Sequence, residues 1–450
     1  MATSSRTSKF RVAICGGGVG GLTLAYALSR SPDIQVDVYE AATKFSEVGA
    51  GIGVWRRTWQ ILKTIGLEHD LLQLLDRRPS DDVVPTLQYR KADQPEGQSF
   101  SNLHSRGGLL TFHRAEFHSV LLQRLSSRCK TFNSKRLHHY VQPPHASAPI
   151  QLVFQDGSTA TCDLVIGADG IKSVVRRTML NEQAQQLEQR GQLNEAADLR
   201  DRVEPRFSGV LVHRTLIPAD KLRQIAPQNR ALSVPTQFLG RNRHIMAYPI
   251  SHGRYINFVA FEADYSREGS LYTDPWISTV DSRALSRSFS NWELDVQQIA
   301  SCLDGLTVNR WAVNVMKPLN TFSHGRVVLL GDAAHAMTPF QGAGAGQAIE
   351  DAFILSSLLS HPLTTLRTLP QVLSIYSRVR VPFANKIAER SRRNGLDFAL
   401  NGYHDTGDGA GLTELGERIR KNFEWAWASD AGVELRQATE MLEREVGGRR

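Results

Sequence analysis

The sequence predicts an α/β chain: a parallel sheet covered by helices, a β-rich layer inserted into it, and helices towards the C-terminal end. Three observations carry this. A β-rich apolar run, Phe10–Cys15, meets Gly16-Gly17-Gly18-Val19-Gly20-Gly21, then a helical stretch, Leu22–Arg30, and a second strand-like run, Ile34–Tyr39. From Phe207 to Trp311 short β runs alternate with Pro and Gly breaks. Residues 366–450 are mostly helical in pattern, with one Gly-rich break at 402–411.

Composition sets the frame for these elements. The 450 residues are 41% apolar and 22% charged, the mix of a soluble globular protein of two or three structural units. It argues against a disordered chain, a fibrous repeat or a small stapled scaffold. Lys and Arg number 53 against 45 Asp and Glu, a formal net charge of +8. No run of five basic residues occurs, so no nucleic-acid partner is expected; the mild excess suits a protein that receives anions. Cys15, Cys129, Cys162 and Cys302 stand far apart with no C-x-x-C pair, so neither a zinc site nor a disulfide framework is expected. No apolar stretch of signal-peptide type precedes the first strand and no run of 18 apolar residues occurs. A cytoplasmic protein without a membrane span is the expectation.

In chain order, Trp59–Ile65 reads as a helix stopped by Gly66, residues 80–110 as short strand-like pieces, and Arg114–Ser126 as a helix. Ile150–Phe154 and Thr161–Ile166 read as a hairpin through Asp156-Gly157. Asn181–Val203, rich in Gln, Glu, Arg and Ala, predicts one solvated helix. Leu211–Ile217, Thr236–Leu239, Arg243–Tyr248 and Tyr255–Phe261 look like strands of one sheet. Gly325–Leu330 is a further strand, and Gly346–Leu359 a strong helix.

Gly16, Gly18 and Gly21 fit G-x-G-x-x-G, the fingerprint of a Rossmann-like nucleotide fold. Such glycines allow a tight turn, a close approach of backbone to pyrophosphate, and close helix–strand packing, with the pyrophosphate on the helix N-terminus. The pattern follows a strand, opens a helix, and has an acid, Glu40, 24 residues after Gly16 at the end of the next strand. Glu40 suits a ribose diol and repels a 2′-phosphate, so the resident nucleotide is FAD or NAD rather than NADP. Two distal features favour FAD. Asp332 follows the strand ending at Leu330 and suits the ribityl hydroxyls of a flavin. Pro339-Phe340-Gln341-Gly342-Ala343-Gly344-Ala345-Gly346 then leads into a helix whose N-terminal amides suit the N1–C2=O edge of the ring.

Three motifs in order, GGGVGG, DLVIGADGIKSVVR (Asp163–Arg176) and GRVVLLGDAAHAMTPFQGAGAGQAIEDA (Gly325–Ala352), make the chain resemble the group A flavoprotein monooxygenases of the 4-hydroxybenzoate hydroxylase fold over about residues 10–390. GAGIGVWRRTWQILKTIGL and GAGAGQAIEDA are most similar to fungal salicylate hydroxylase-like enzymes. The resemblance implies FAD-binding segments at 10–80, 111–185 and 316–385, a β insert at 81–110, a substrate-binding sheet and lid at 186–315, and a helical region at 386–450. The helices of 366–450 are expected either to form a homodimer surface or to cover the FAD domain. It also implies that Glu40 holds the adenosine ribose, that Gly53 and Arg114 contact FAD, that Asp332 takes the ribityl chain, and that Ala345 and Gly346 offer amides to the ring. Asp169 belongs to a motif implicated in FAD and NAD(P)H contact.

The activity implied is reduction of FAD by NADH or NADPH, reaction with O2, and oxygen transfer from a flavin C4a-hydroperoxide to a phenol or aromatic acid. No second G-x-G-x-x-G follows a strand; Gly407, Gly409 and Gly411 have none before them, so the reductant is expected to bind transiently. Arg214 and Tyr248, on predicted strands taken as adjacent, match by position an Arg and a Tyr that orient phenolates in dearomatising fungal relatives. His213 and His244 compete for that role. Salicylate hydroxylases commonly carry His after the motif proline, where this chain has Phe340. A larger or less charged phenol is expected in place of salicylate. Epoxidation, dearomatisation, a flavin oxidase and a non-catalytic flavoprotein remain the alternatives.

Overall fold

The computed structural model describes residues 8–45, 51–75, 78–143, 145, 148–403 and 409–449. One layer is a six-stranded sheet in the order Ser323–His324, Val327–Leu329, Leu164–Gly167, Phe10–Cys15, Ile34–Tyr39, Lys130–Phe132. Neighbours run parallel except at the two-residue edge strand Ser323–His324. Parallel sheets are covered on both faces, so their strands are apolar throughout. Val12, Ala13, Ile14, Leu164, Val165 and Ile166 are all buried. Helix Val19–Ser29 is also apolar nearly all round, because the sheet and helix Gly344–Ser360 both cover it.

Register decides where the motifs lie. Cys15 pairs with Gly167 on one side and Tyr39 on the other, and Gly167 pairs with Leu329. The strands end level. Gly16, Glu40, Ala168 and Leu330 therefore leave the sheet along one carboxyl edge, where open parallel sheets bind ligands.

The second layer is an eight-stranded sheet in the order Ile277–Val280, Val308–Val315, Arg206–Pro218, Tyr255–Ala263, Arg243–Ile250, Thr236–Gly240, Val83–Lys91, Gln98–Arg106. Thr236–Leu239 pair in parallel with Gln88–Lys91, so strands from 80–110 and from 206–315 share this sheet. Its outer face, with Phe238, Ile245, Phe258 and Ala260, packs under the short helices Ala219–Ile225, Ser282–Arg287 and Leu294–Ser301. Its inner face, with Val212, Val259 and Phe261, meets Phe340 and Phe398. Helices Leu369–Phe398, Ala410–Phe423 and Ala431–Val446 complete the chain. Among the described residues no helix is long and apolar enough to cross a membrane.

Two sequence expectations change. Thr161–Ile166 is not one strand. Thr159–Cys162 closes the hairpin with Ile150–Phe154, and Leu164–Gly167 joins the parallel sheet. Asp163 makes the switch: its carboxylate accepts from the Arg11 backbone N–H at 2.8 Å and from the Arg11 guanidinium at 2.9 Å. The single helix expected over 181–203 is two, Val174–Gln189 and Leu193–Asp201, separated at Gly191 with φ +77°. The first starts seven residues early because Ser173 caps it, and Val175, Met179 and Leu180 face the core. The Gly-rich break is described at 402–403 and from Gly409; Gly407 lies outside the described residues.

Candidate active site

The glycine loop follows from the end of the first strand. Gly16 has φ +112°, and a Cβ there would stand 2.1 Å from the Ala168 carbonyl oxygen, so no L side chain fits. A Cβ on Gly21 would stand 2.1 Å from the Gly16 oxygen, which sets how closely helix and strand pack. Gly18, extended, caps the helix. The first helical hydrogen bond runs from Leu22 N–H to the Gly18 oxygen at 2.9 Å. The amides of Val19, Gly20 and Gly21 thus point out of the helix end without an acceptor among the described residues, a ready anion cradle. Glu40 reaches back over the loop and accepts from the Gly17 N–H at 2.8 Å and the Ala42 N–H at 2.7 Å. Buried His118 donates to the Gly17 oxygen at 2.7 Å. Burial pulls its pKa down, and that hydrogen bond opposes the shift.

Gly331 turns the chain with φ +59° and ψ −143°, a conformation reserved for glycine. Asp332 follows, exposed, and no other described residue takes its carboxylate by hydrogen bond or ion pair. The helix Gly344–Ser360 makes its first bond from Gln347 N–H to the Ala343 oxygen at 2.8 Å. The amides of Gly344, Ala345 and Gly346 are left at its open N-terminus.

A charged network absent from the sequence reading fixes this turn and helix. Asp351 accepts from the Gly331 N–H at 2.9 Å, from His335 at 2.6 Å and from Arg380 at 2.7 Å. Glu350 takes Arg380 and Arg57, each at 3.1 Å. All these side chains are buried. Burial alone would raise the Asp351 pKa, but the His335 and Arg380 charges and the hydrogen bonds hold it well below the usual carboxylate range. The sequence did carry a signal: two adjacent acids in an apolar helix need buried cations.

Gly53 sits in strand Gly51–Trp55, opposite Thr111 of strand Leu109–His113, and Arg114 opens the next helix. Burial lowers the Arg114 pKa; Asp332 attracts its charge and Arg214 repels it. Arg114, Asp332 and Arg214 therefore share one electrostatic neighbourhood.

Arg214 pairs with Val259, and Val259 with Met246, two residues from Tyr248. By the two-residue period, Arg214 and Tyr248 share the inner face. Their strands are not adjacent: Tyr255–Ala263, the return arm of the hairpin carrying Tyr248, runs between them. Burial lowers the Arg214 pKa and raises that of Tyr248; each is partly offset by the other, with Asn257 hydrogen bonding also lowering Tyr248. The Tyr248 hydroxyl lies 2.9 Å from where a Cβ on Gly51 would stand, so it reaches the strand leading towards Gly53. Of the competing histidines, His213 is on the outer face, 3.2 Å from Glu262. His244 is on the inner face, stacked on Phe261 at 4.2 Å and edge-on to Phe340 at 5.4 Å. Burial drives its pKa down to about 3, so it is neutral.

Asp169 follows strand Leu164–Gly167 at the same carboxyl edge. Its carboxylate accepts from Ser173 at 2.5 Å and from the Val174 and Val175 amides at 2.7 and 3.1 Å. It caps helix Val174–Gln189, and burial raises its pKa. Of the other candidates, Gly16, Gly18, Gly21, Glu40 and Asp332 follow the carboxyl ends of the sheet strands, Ala345 and Gly346 open the helix that packs on Val19–Ser29, and Gly53 and Arg114 belong to the separate strand pair and the helix after it. Among the described residues, two helix N-termini without acceptors, one acid over the first and one unpaired acid near the second fit a flavin dinucleotide.

Comparison with known proteins agrees. The chain belongs to the family defined by the FAD binding domain, whose model matches residues 9–391. Within it, this protein is an FAD-dependent monooxygenase of the aromatic hydroxylase type. It is 42% identical to the FAD-dependent monooxygenase str9 of Strobilurus tenacellus, over 97% of this chain and 99% of that one. It is 32% identical to a salicylate hydroxylase of Pseudomonas putida, over 97% and 95%. It is also 32% identical to the 6-methylsalicylate 1-monooxygenase atA of Aspergillus terreus, over 98% and 94%. A solved structure of a salicylate hydroxylase substrate complex superposes with a TM-score of 0.79 at 29% identity, covering 97% of this chain and 98% of that one.

Proposed function

We propose that this protein uses NAD(P)H and O2 to insert one oxygen atom into the ring of a weakly charged phenol, with Arg214 and Tyr248 holding the phenolic oxygen. The carrying observation is that both residues share the inner sheet face, which looks towards Phe340 and the Gly-rich loop. We assign residues 10–80, 111–185 and 316–385 to FAD binding, and the sheet of 206–315 to the substrate.

Bound FAD supplies the activation of O2 once reduced; the rest is the work of the chain. Glu40 and the amides of Val19–Gly21 hold the adenosine ribose and the pyrophosphate. Asp332 holds the ribityl hydroxyls, and the amides of Ala345 and Gly346 favour negative charge at the ring edge. Arg214 stabilises the substrate oxygen as it becomes an anion, which raises electron density on the ring. Tyr248, kept protonated by burial, donates its hydroxyl as a second hydrogen bond to that developing anion. Val212, Val259, Phe261 and Phe340 exclude water on the substrate side. Phe340 offers no partner for a carboxylate, and neutral His244 beside it adds no charge. This supports an uncharged ring substituent where salicylate has its carboxylate.

The test is oxidation of NADH and NADPH by the purified yellow holoenzyme across neutral phenols, salicylates and alkenes, under 18O2, with product mass recorded. The proposal expects stimulation by neutral phenols and one labelled oxygen in the product. Stimulation by salicylates with loss of CO2 would overturn the substrate class. Labelled product from alkenes alone would replace hydroxylation with epoxidation, and turnover without label would make the protein an oxidase.

A further inference from the structure

Helices Leu369–Phe398 and Ala410–Phe423 enclose a groove of about 740 Å³ that the site above does not use. Lys386, Arg390 and Arg393 line it from the first helix at helical spacing, and Arg418 and Lys421 from the second. Five cations thus face two carboxylates, Glu389 and Asp397. Arg393 is paired with Glu389 at 2.9 Å, and Arg418 with Asp397 at 2.8 Å. Among the described residues, Lys386 and Arg390 make no ion pair. Arg390 is half-buried; burial and then the like charge of Arg393 lower its pKa, and the charge of Glu424 opposes them.

The groove wall is one residue from the flavin loop. Arg390 donates to the Asn422 carbonyl at 3.3 Å, and Gln341 donates its side-chain amide to the same oxygen at 3.0 Å. Asn422 in turn donates to Asn394 at 2.6 Å, and Asn394 to the Phe340 oxygen at 3.4 Å. Trp55 and Trp425 grip Gln341 from its other sides, at 2.8 and 2.7 Å. An anion in the groove therefore meets Arg390, which shares the Asn422 carbonyl with Gln341 of the segment that begins the Gly-rich loop.

We infer that this groove docks the phosphates of the nicotinamide reductant, with the 2′-phosphate of NADPH taken by the unpaired cations, and that docking is felt at the flavin through Asn422 and Gln341. A cleft with an excess of one sign concentrates an anionic partner and binds it reversibly, as a reductant that must leave after each turnover requires. This inference rests on the NAD(P)H-dependent reading above.

The experiment titrates the holoenzyme with ADP-ribose carrying or lacking the 2′-phosphate, which cannot reduce flavin, by calorimetry and by the perturbation of flavin absorbance. Arg390→Ala and the surface pair Lys386→Glu/Arg393→Glu are compared with wild type, and exposed Arg287→Glu, outside the groove, is the control. The inference expects the 2′-phosphorylated probe to bind more tightly than its counterpart and to perturb the flavin spectrum. It expects about tenfold weaker binding in both groove variants, none in the control, and weakening with salt. The KM for NADPH rises in parallel. Equal binding of the two probes, no binding, or groove variants that bind like wild type would overturn it. If neither NADH nor NADPH reduces wild-type flavin, the functional reading itself fails. If they do and the groove variants keep the wild-type KM, only the docking assignment fails.

Discussion

Tyr248 and Asp351 show two ways in which one side chain governs this protein. Tyr248→Phe removes a hydrogen-bond donor to the substrate oxygen and leaves the ring in place. Its expected effect is a fall of about 10²-fold in kcat with phenol, with flavin reduction in the absence of substrate unchanged. Stopped-flow reduction and steady-state turnover check this on one preparation. Asp351→Asn breaks the buried pair with Arg380 and leaves it only Glu350, which Arg57 already shares. We expect a loss of about 3–5 kcal/mol in denaturant unfolding, the penalty for a broken buried pair. The linkage has a defined sign. The folded-state pKa of Asp351 lies below its unfolded value, so its stabilisation is complete above the ordinary carboxylate range, starts to fall within it and is fully lost only as pH drops through the lower folded-state value. Urea midpoints of wild type should drop on acidification, and those of Asp351→Asn should drop less. The fingerprint residues were legible because their spacing is dictated by backbone contact. Arg57 and Arg380 were not, because their partners are distant in sequence and buried pairing has no period.

At the scale of elements, the cap at Asp169 and Ser173 separates two roles for one acid. Ser173→Ala is expected to cost about 1 kcal/mol and to leave FAD affinity unchanged, as a cap lost at helix Val174–Gln189 would. Asp169→Asn should weaken the same helix, and FAD affinity measured by fluorescence tells whether the turn beside the carboxyl edge shifts with it. The strands carrying Arg214 and Tyr248 were readable as short β runs between Pro and Gly breaks. Their order was not. The hairpin Arg243–Ile250/Tyr255–Ala263 pairs through its second arm with Arg206–Pro218, and strand order is a tertiary choice that alternation does not encode. The split at Asp163 was hidden for the same reason: a strand that changes sheet keeps its apolar pattern, and only the Arg11 contact marks the break.

For the whole molecule, the two sheets meet through Phe340, Phe261, His244 and Phe398. Phe340→His is expected to admit more charged substrates, read as a rise of about tenfold in kcat/KM for salicylates relative to neutral phenols. Polarity introduced there would also leave an unpaired group beside His244, so thermal unfolding should move down by a few degrees. The chain's overall class followed from its order of motifs, since strand–glycine–helix units dictate a parallel sheet. The joining of 83–106 with 206–315 did not, because parallel pairing of Thr236–Leu239 with Gln88–Lys91 links segments far apart in sequence.

The cofactor sheet draws its central strands from residues 10–15, 34–39, 164–167 and 327–329, and the second helix N-terminus opens at Gly344. A ribosome delivers these pieces in that order. The first glycine loop emerges early, with nothing opposite it; Asp332 and the Gly-rich loop emerge only after the whole inserted sheet has been made. A nascent chain halted before residue 344 therefore holds half a cradle. Flavin capture becomes a late event of synthesis, and it signals that the long-range pairings have closed.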